Sequence, residues 1–408
     1  MPGTRLIEAR DIRRGCEIEG PQKTAERLEK ALDKKDIRPR DFSIRELAEG
    51  FMGNEWVDNL HPKRGRAYGK QELLEADEAA VSYSHFSHIT GQIFFNAVKE
   101  SYEYDSENFP FSKVIPTKPT NIIDMEKIPG ISQVGDEFSV IQEGAEYPNF
   151  GVSEDYIEIA AKQKRGGIVP VTKEAIFGDK TGVLLDRCRN VGFWLYYNKE
   201  KRIIDCVIDE NAGAVSAAHG GHRYHWKGTS YATYQTTTPW DNVTATNALV
   251  DWTDVENAWL TLVGITDPYT GEPIMQNPTH IIVTPQLAAT AWYILHSMEV
   301  RVHAGGYNAS ATVQEHGTPL PLQGIGLQNL QLLTSQLLAS RAATDTDWWL
   351  GAPGRAFSYF ECWGVEPEEA GPQSREGFHR DVVMQFKVSE MGTPATEEPR
   401  FMTESRVA

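Results

Sequence analysis

The stretch of sequence that decides the fold is Thr172–Asn211, TKEAIFGDKTGVLLDRCRNVGFWLYYNKEKRIIDCVIDEN. Gly178-Asp179-Lys180-Thr181 is typical of a helix start. Apolar residues then recur at spacings of four, three and four, at Leu184, Cys188, Val191 and Leu195. The pattern predicts a helix of about thirty residues, roughly 45 Å long at 1.5 Å per residue, that ends near Asn211-Ala212-Gly213. Such a length is unusual in a globular domain and indicates a structural spine.

The residues before this helix predict an extended arm and a β-hairpin. Phe109–Pro129 contains four prolines and few helix formers, so it is expected to lie across another surface. Apolar and polar residues alternate over Tyr156–Lys162, Lys164-Arg165-Gly166-Gly167 has the composition of a turn, and Ile168–Thr172 returns. Because a two-stranded ribbon is marginal alone, this hairpin is expected to be stabilised by a neighbouring molecule.

The residues after the helix predict an α/β lobe. Thr253–Val263 predicts an amphipathic helix, with Thr253 as its cap and Glu256 at the third position. Further predicted elements are a strand over Thr279–Thr284, a helix over Gln286–Ser297, and terminal strands over Asp381–Val388 and Arg400–Val407.

The first hundred residues are set apart by their charge. Residues 1–104 carry 17 basic and 19 acidic side chains, whereas the remaining 304 residues carry a net charge of −15. Large apolar residues are few, so this segment is expected to fold on another surface or to be an arm. Helices are predicted over Pro21–Lys35, Phe42–Phe51 and Gln71–Tyr83.

The composition excludes several classes of protein. No apolar run approaches the ~18 residues of a membrane span, and the first residues lack a signal-peptide core, so neither membrane insertion nor secretion is expected. A net charge of −17 argues against a protein that neutralises nucleic-acid phosphates with its own surface. The four cysteines form no C-x-x-C pair and predict reduced thiols rather than a disulfide framework.

The strongest chemical cluster is the segment His219–His225, HGGHRYH. Its three histidines are spaced by three and could gather on a metal, which leaves His219, His222 and His225 as weak candidate ligands. No acidic general base lies nearby and the H-E-x-x-H pattern is absent, so a polar loop is the favoured interpretation.

Beyond these histidines the sequence offers no chemistry. It has no phosphate-binding loop, dinucleotide fingerprint or nucleophile elbow, so no catalytic residue and no cofactor is predicted, and the protein is expected not to be an enzyme. Trp348-Trp349 and Trp363 have no basic residues interleaved with them and are expected in a core or an interface.

The order of arm, hairpin, spine helix and α/β lobe resembles the Hong Kong 97-like shell fold of the major capsid proteins of tailed bacteriophages, an α+β fold. The resemblance covers roughly residues 105–408. Its carriers are the hairpin Glu143–Lys173, the helix start Thr172–Asp179, the spine through Asn211, and the segments Val255–Val263, Gly271–Ile274 and His280–Leu287.

The resemblance implies a division of the chain into six regions. They are a charged segment at 1–104 that is scaffold-like or an internal arm, an N-arm at 105–140, an extended loop (E-loop) hairpin at 141–175, a peripheral domain with the spine helix at 176–250, an axial domain at 251–351, and return strands of the peripheral domain at 352–408. Some relatives remove the leading segment during maturation.

The resemblance also implies a function: a major capsid protein that self-assembles, as hexamers and pentamers, into the icosahedral shell around a double-stranded DNA genome. Implied partners are portal, scaffold and cement proteins, with loose contacts to packaged DNA and none to a membrane. The protein would be located in the virion, assembled in the host bacterial cytoplasm. The alternatives are an encapsulin-like nanocompartment shell and, from another class, a metal-dependent enzyme using the three histidines.

A few relatives form covalent Lys–Asn cross-links with an asparagine late in the chain. Lys162 and Lys164 lie on the predicted hairpin, but this sequence has no asparagine after Asn329. No such cross-link is expected.

Overall fold

The computed structural model describes residues 9–53, 76–130, 140–146, 156–209, 224–267, 271–300, 318–319, 327–370 and 382–407, apart from residues 35, 42, 106–108, 144–145, 238, 297–298 and 343. The chain forms two compact units. The first unit consists of residues 1–108, 164–198 and 363–391, and the second of residues 109–163, 199–362 and 392–408.

The described elements are all helical up to residue 114, and strands and helices alternate after it. The helices are α1 Ala9–Glu19, α2 Pro21–Asp33, α3 Ile44–Met52, α4 Ala76–Asp105, α5 Phe111–Val114, α6 Lys173–Phe177, α7 Thr181–Ile208, α8 Trp252–Val263, α9 Ala288–His296, α10 Gln336–Arg341 and α11 Pro353–Ala356. The strands are β1 Thr117–Pro119, β2 Glu126–Pro129, β3 Tyr156–Ile159, β4 Gln163–Thr172, β5 Tyr224–Trp226, β6 Thr229–Tyr231, β7 Thr236–Thr237, β8 Trp240–Asp241, β9 Val243–Ala245, β10 His280–Val283, β11 Glu299–Val300, β12 Thr318–Pro319, β13 Gln331–Leu333, β14 Trp348–Gly351, β15 Phe357–Ala370, β16 Val382–Thr396 and β17 Met402–Arg406.

The first unit is built around one hydrophobic core to which helices α1–α4 contribute directly. Phe94 of α4 is fully buried, and its ring meets Phe386 of β16 edge-on with centroids 5.9 Å apart. A Cβ at Gly192 of α7 would lie 2.5 Å from the Val98 carbonyl oxygen, so glycine lets α7 and α4 approach closely. The same core includes Val169, Val171, Ile176, Leu184, Leu185, Cys188, Met384 and Val388.

The second unit contains a five-stranded mixed sheet with the order β13-β10-β14-β17-β9. Strand β10 pairs parallel to β13 and antiparallel to β14, whereas β17 pairs parallel to β9. Helices α8 and α9 share a core with this sheet through Val255, Ala258, Ala291 and Ile294. A separate four-stranded sheet has the order β2-β3-β5-β6.

Most of the predicted helices are confirmed. Helices α2, α3, α8 and α9 and strand β10 lie within a few residues of their predicted bounds, and α7 begins at the predicted Thr181. The 28 residues of α7 give about 42 Å at 1.5 Å per residue. The predicted stop at 211–213 lies outside the described residues. Helix α4 extends to Asp105, far beyond the predicted end at Tyr83.

The predicted hairpin is wrong in its pairing. Residues 164–167 form no turn but lie inside β4, which neighbours β16 in the first unit, whereas β3 pairs with β2 and β5 in the second. A Cβ at Gly166 would stand 2.3 Å from the Val388 carbonyl oxygen. The glycine therefore allows a close approach of two strands, which local sequence cannot distinguish from a turn.

The predicted cap of α8 is also wrong. Asp251, not Thr253, is the N-cap residue, and its side chain accepts a hydrogen bond from the Thr253 amide. Asp254, not Glu256, completes the capping box by accepting from the Asp251 backbone amide at 2.9 Å. The helix therefore starts one residue earlier, at Trp252, which packs against the core of the sheet.

Candidate assembly surfaces

The arm, residues 109–129, is anchored to the second unit by its backbone. Strand β1 pairs parallel to the start of β15, with Thr117 opposite Tyr359. The Thr120 amide donates to the Glu361 carbonyl at 2.9 Å. The Glu200 carboxylate accepts hydrogen bonds from the amides of Phe111 and Ser112 at 2.8 and 2.9 Å. The arm is therefore held at both α5 and β1 before any neighbour is present.

Glu200 holds the arm with a buried carboxylate, and the burial of a charged group is electrostatically unfavourable. It is fully buried, and burial raises the pKa of its carboxyl group, although the hydrogen bonds from Ser112 and Phe111 partly offset the rise. A buried carboxylate is retained more easily when donors surround it.

A buried ion pair fixes the arm at its far end. Lys162 has no exposed side-chain surface, and its ammonium lies 2.6 Å from a carboxylate oxygen of Glu126 on β2. Burial raises the pKa of Glu126, but hydrogen bonds from Lys162 and Thr120 outweigh this and leave its pKa below the ordinary value. The Lys162 amide also donates to the Ile123 carbonyl at 2.9 Å.

Large apolar side chains on the same arm point into solvent. Ile122, Ile123 and Met125 are 47%, 51% and 64% exposed. Other exposed aromatics lie in both units: Trp194 of α7 packs edge-on with Tyr197, and Trp292 of α9 stacks on His296 with ring centroids 4.6 Å apart. Exposed apolar groups of this size mark contact surfaces when they cluster. These exposed side chains could not be identified from the sequence. Whether an apolar side chain is exposed depends on which other parts of the chain pack against it.

The terminal strands are secured by buried charges. The Arg400 guanidinium contacts Glu398 at 2.5 Å and Asp267 at 3.0 Å, and all three side chains are at least nine-tenths buried. Burial lowers the pKa of Arg400, but the two carboxylates more than reverse this and raise its pKa above the ordinary value. Arg341 makes a second buried ion pair with Asp205.

The predicted histidine cluster is described only in part. His225 lies in β5, half-buried, whereas His219 and His222 lie outside the described residues. Within the described ranges, no group of three or more His, Cys, Asp or Glu side chains could hold a metal. The metal ligands therefore stay a prediction.

The tryptophans and cysteines occupy the places expected of packing residues. Trp348 and Trp349 of β14 are fully buried, which confirms the predicted core position. The Lys164 ammonium lies over the Trp363 ring, 5.5 Å from its centroid.

All four cysteines are free thiols. Burial raises the pKa of Cys188 to about 12, and burial also raises the pKa of Cys206, so both thiols are protonated at neutral pH.

None of the described helices is long and apolar enough to cross a membrane.

Comparison with known proteins gives the family. Residues 156–405 match the family model described as phage capsid protein. No curated protein shows significant sequence similarity to the chain.

Several solved structures are similar at low identity. The capsid of a native GTA particle is 10% identical over 73% of this chain and 90% of that chain, with a TM-score of 0.43. A virus-like particle from Pyrococcus furiosus is 10% identical over 77% and 99%, with a TM-score of 0.40. The holo-SrpI encapsulin complex from Synechococcus elongatus PCC 7942 is 12% identical over 73% and 86%, with a TM-score of 0.39.

The family assignment rests on the family model, because these identities and TM-scores are too low to transfer function. The match spans 250 of the 408 residues. It confirms the α+β, Hong Kong 97-like fold class and the predicted shell-forming role. The chain therefore belongs to the phage capsid protein family and is a shell-forming major capsid protein.

Proposed function

We propose that copies of this chain assemble as hexamers and pentamers into an icosahedral shell that encloses the double-stranded DNA of a tailed phage or prophage. The observation that carries this proposal is the arm, which is ordered by its own backbone hydrogen bonds yet exposes three large apolar side chains. Such an arm gains further burial when a neighbouring molecule packs on it. Shell subunits need many modest contacts rather than one large apolar patch, and arms supply them.

The extended loop of the resemblance is proposed to be residues 130–155. These residues connect β2 to β3, which pair antiparallel with Glu126 opposite Ile159. A long connection between two paired strands suits a loop that reaches over a neighbouring subunit. The resemblance places this loop at 141–175, and the proposal here leaves out β4, which lies in the first unit from Lys164 onward.

Loose contact with packaged DNA fits the charge of the chain. A net charge of −17 provides no cationic wall that would hold the genome against release. Portal, scaffold and cement proteins are proposed as further partners, with assembly in the host bacterial cytoplasm and no enzymatic activity.

Expression of the full chain alone is expected to give closed shells tens of nanometres across, visible by negative-stain electron microscopy. A larger shell diameter supports the phage head, whereas a small diameter supports the nanocompartment alternative. Small monodisperse particles would contradict self-assembly without a scaffold. Stoichiometric zinc that is lost in the His222→Ala variant would instead favour the metal-dependent enzyme.

Assembled shells are expected to contain no covalent subunit cross-links. Lys162 is buried against Glu126, Lys164 lies over Trp363, and the sequence has no asparagine after Asn329. Shells boiled in detergent under reducing conditions should therefore give one band at 45.7 kDa. A ladder of multimers that survives reduction would contradict this.

A further inference from the structure

Helix α2 and its C-cap residue, Lys34, carry a line of basic side chains on their solvent-facing side. Lys23, Arg27, Lys30 and Lys34 are all exposed and follow one another at spacings of four, three and four residues. At 3.6 residues per turn, these positions fall within about 60° of one another round the helix. The other side of α2 packs into the core of the first unit through Leu28. We call the four basic residues the basic stripe.

The cations of the basic stripe are available to a partner. Within the described part of the chain, the ammonium groups of Lys23, Lys30 and Lys34 lie in no ion pair and donate no side-chain hydrogen bond. Arg27 lies 3.3 Å from Glu19, and both side chains are about half exposed. An exposed pair of this kind contributes little to stability, so the guanidinium can exchange Glu19 for another anion.

The charge of this region is opposite to that of the whole chain. Residues 9–38 hold nine basic and seven acidic side chains, whereas the chain carries a net charge of −17. Glu26 lies at the edge of the stripe, about 60° round the helix from Lys23, and forms no ion pair with another described residue. The basic stripe is therefore a local cationic surface on an acidic subunit.

The stripe offers none of the apolar surface that a protein or a membrane would use. Leu28 and Leu32, the two large apolar side chains of α2, are both buried. Protein interfaces place apolar and aromatic side chains at their centre, and a helix that binds a membrane surface inserts its apolar face. Contacts with nucleic-acid phosphates need only cations and other hydrogen-bond donors. The composition of the stripe therefore favours a phosphate backbone as its partner.

The length of the stripe suits duplex DNA. Lys23 and Lys34 are eleven residues apart, roughly 16 Å along the helix at 1.5 Å per residue. Each strand of a duplex carries one phosphate per about 3.4 Å of axis, so a line of this length runs past about five phosphates. Four cations in single file can therefore each reach a phosphate of the same duplex.

We propose that the basic stripe of α2 is the surface through which this subunit contacts the phosphate backbone of packaged double-stranded DNA. This inference rests on the proposed shell function and assigns its loose DNA contact to one surface, which places α2 on the inner side of the shell. Because the rest of the subunit is acidic, the contact is confined to about four phosphates. A contact of this size is independent of sequence and weak enough to break when the genome leaves.

Binding of a short duplex of mixed sequence to the soluble full-length chain tests the contact, with fluorescence anisotropy as the measurement. Four phosphate contacts predict an affinity that falls about 150-fold between about 50 and 200 mM salt. The triple variant Lys23→Gln, Lys30→Gln, Lys34→Gln should bind at least about tenfold more weakly at the lower salt concentration, and its affinity should fall only about fourfold over the same range. Binding of the triple variant at the wild-type level would overturn the proposal.

A second triple variant separates the stripe from net charge. Lys164→Gln, Lys180→Gln, Arg187→Gln removes the same charge from exposed residues of the first unit and should bind the duplex as the wild type does. Equal weakening by both triple variants would overturn the stripe in favour of net charge. Loss of shells in the stripe variant alone would overturn the DNA contact in favour of a contact between copies. The binding measurement needs no shells, so absent wild-type shells would count against the proposed function instead.

Competition with poly-glutamate distinguishes DNA from an acidic protein segment. An extended peptide carries one carboxylate per about 3.4 Å, whereas a duplex carries one phosphate charge per about 1.7 Å. Because of this lower charge density, poly-glutamate should displace the duplex only at a higher concentration of charge. Displacement at an equal or lower concentration would overturn DNA as the partner in favour of an acidic protein segment.

Acetylation of lysine by an amine-reactive ester provides a direct readout on the wild-type chain. Peptide mass spectrometry should show that the duplex slows acetylation at Lys23, Lys30 and Lys34 and leaves the exposed Lys180 unchanged. Equal acetylation of the stripe with and without the duplex would overturn the contact.

Discussion

A chain that lacks residues 1–105 is expected to be insoluble, and assembled shells are expected to contain the full 45.7 kDa subunit. Helices α1–α4 share one hydrophobic core with β4, α7 and β16, so their removal exposes the buried faces of those elements. Exposed apolar area on that scale leads to aggregation. The N-terminal segment thus forms an integral part of the first unit, although its scaffold-like role stays a prediction.

A point substitution tests the same core without a deletion. Phe94→Ala removes a fully buried ring that packs on Phe386 and is expected to cost about 3–5 kcal/mol of the unfolding free energy. Ile18→Ala, on a residue 70% exposed, should stay within about 0.5 kcal/mol. Urea unfolding of the soluble chain measures both.

Two outcomes would contradict an integral N-terminal segment. One is a soluble, cooperatively folded chain that begins after residue 105. The other is a shortened subunit in mature shells, detected by intact mass spectrometry. Either would show that the first unit keeps its core without α1–α4.

Arg400→Met is expected to destabilise the second unit by about 3–5 kcal/mol. The substitution keeps much of the apolar volume but leaves Glu398 and Asp267 buried without their cation. An uncompensated buried charge costs far more than a lost surface ion pair. The urea midpoint of a probe in the second unit, such as the fluorescence of the buried Trp348 and Trp349, should fall accordingly.

The matched control is an exposed ion pair. Arg27 and Glu19 lie 3.3 Å apart with side chains 58% and 43% exposed, so Arg27→Met should change stability by at most about 1 kcal/mol. Combining Arg400→Met with Glu398→Gln and Asp267→Asn should recover part of the loss, because it removes the unpaired charges. Equal effects of Arg27→Met and Arg400→Met would contradict the role of burial.

Helices were predictable from the sequence because their signals are local. The spacing of Leu184, Cys188, Val191 and Leu195 identifies α7, and Thr172 caps α6 by accepting a hydrogen bond from the Ala175 amide. The order of elements along the chain was sufficient to indicate the capsid family. That order carried the functional expectation, since no residue pattern indicated catalysis, and the family model carried the conclusion.

Strand pairing, by contrast, was decided by residues far apart in the chain. Gly166-Gly167 resembles a turn locally, but Gly166 faces the Val388 carbonyl, 222 residues later. The same limit applies to a pocket of the first unit, whose lining joins α4 to Pro367 and Phe386. Helical periodicity and composition by themselves determined the spine and the arm, and the order of these elements resembles that of the capsid family. Only the tertiary structure decided which apolar side chains were buried and which remained available for assembly, because burial depends on long-range packing that no local pattern encodes.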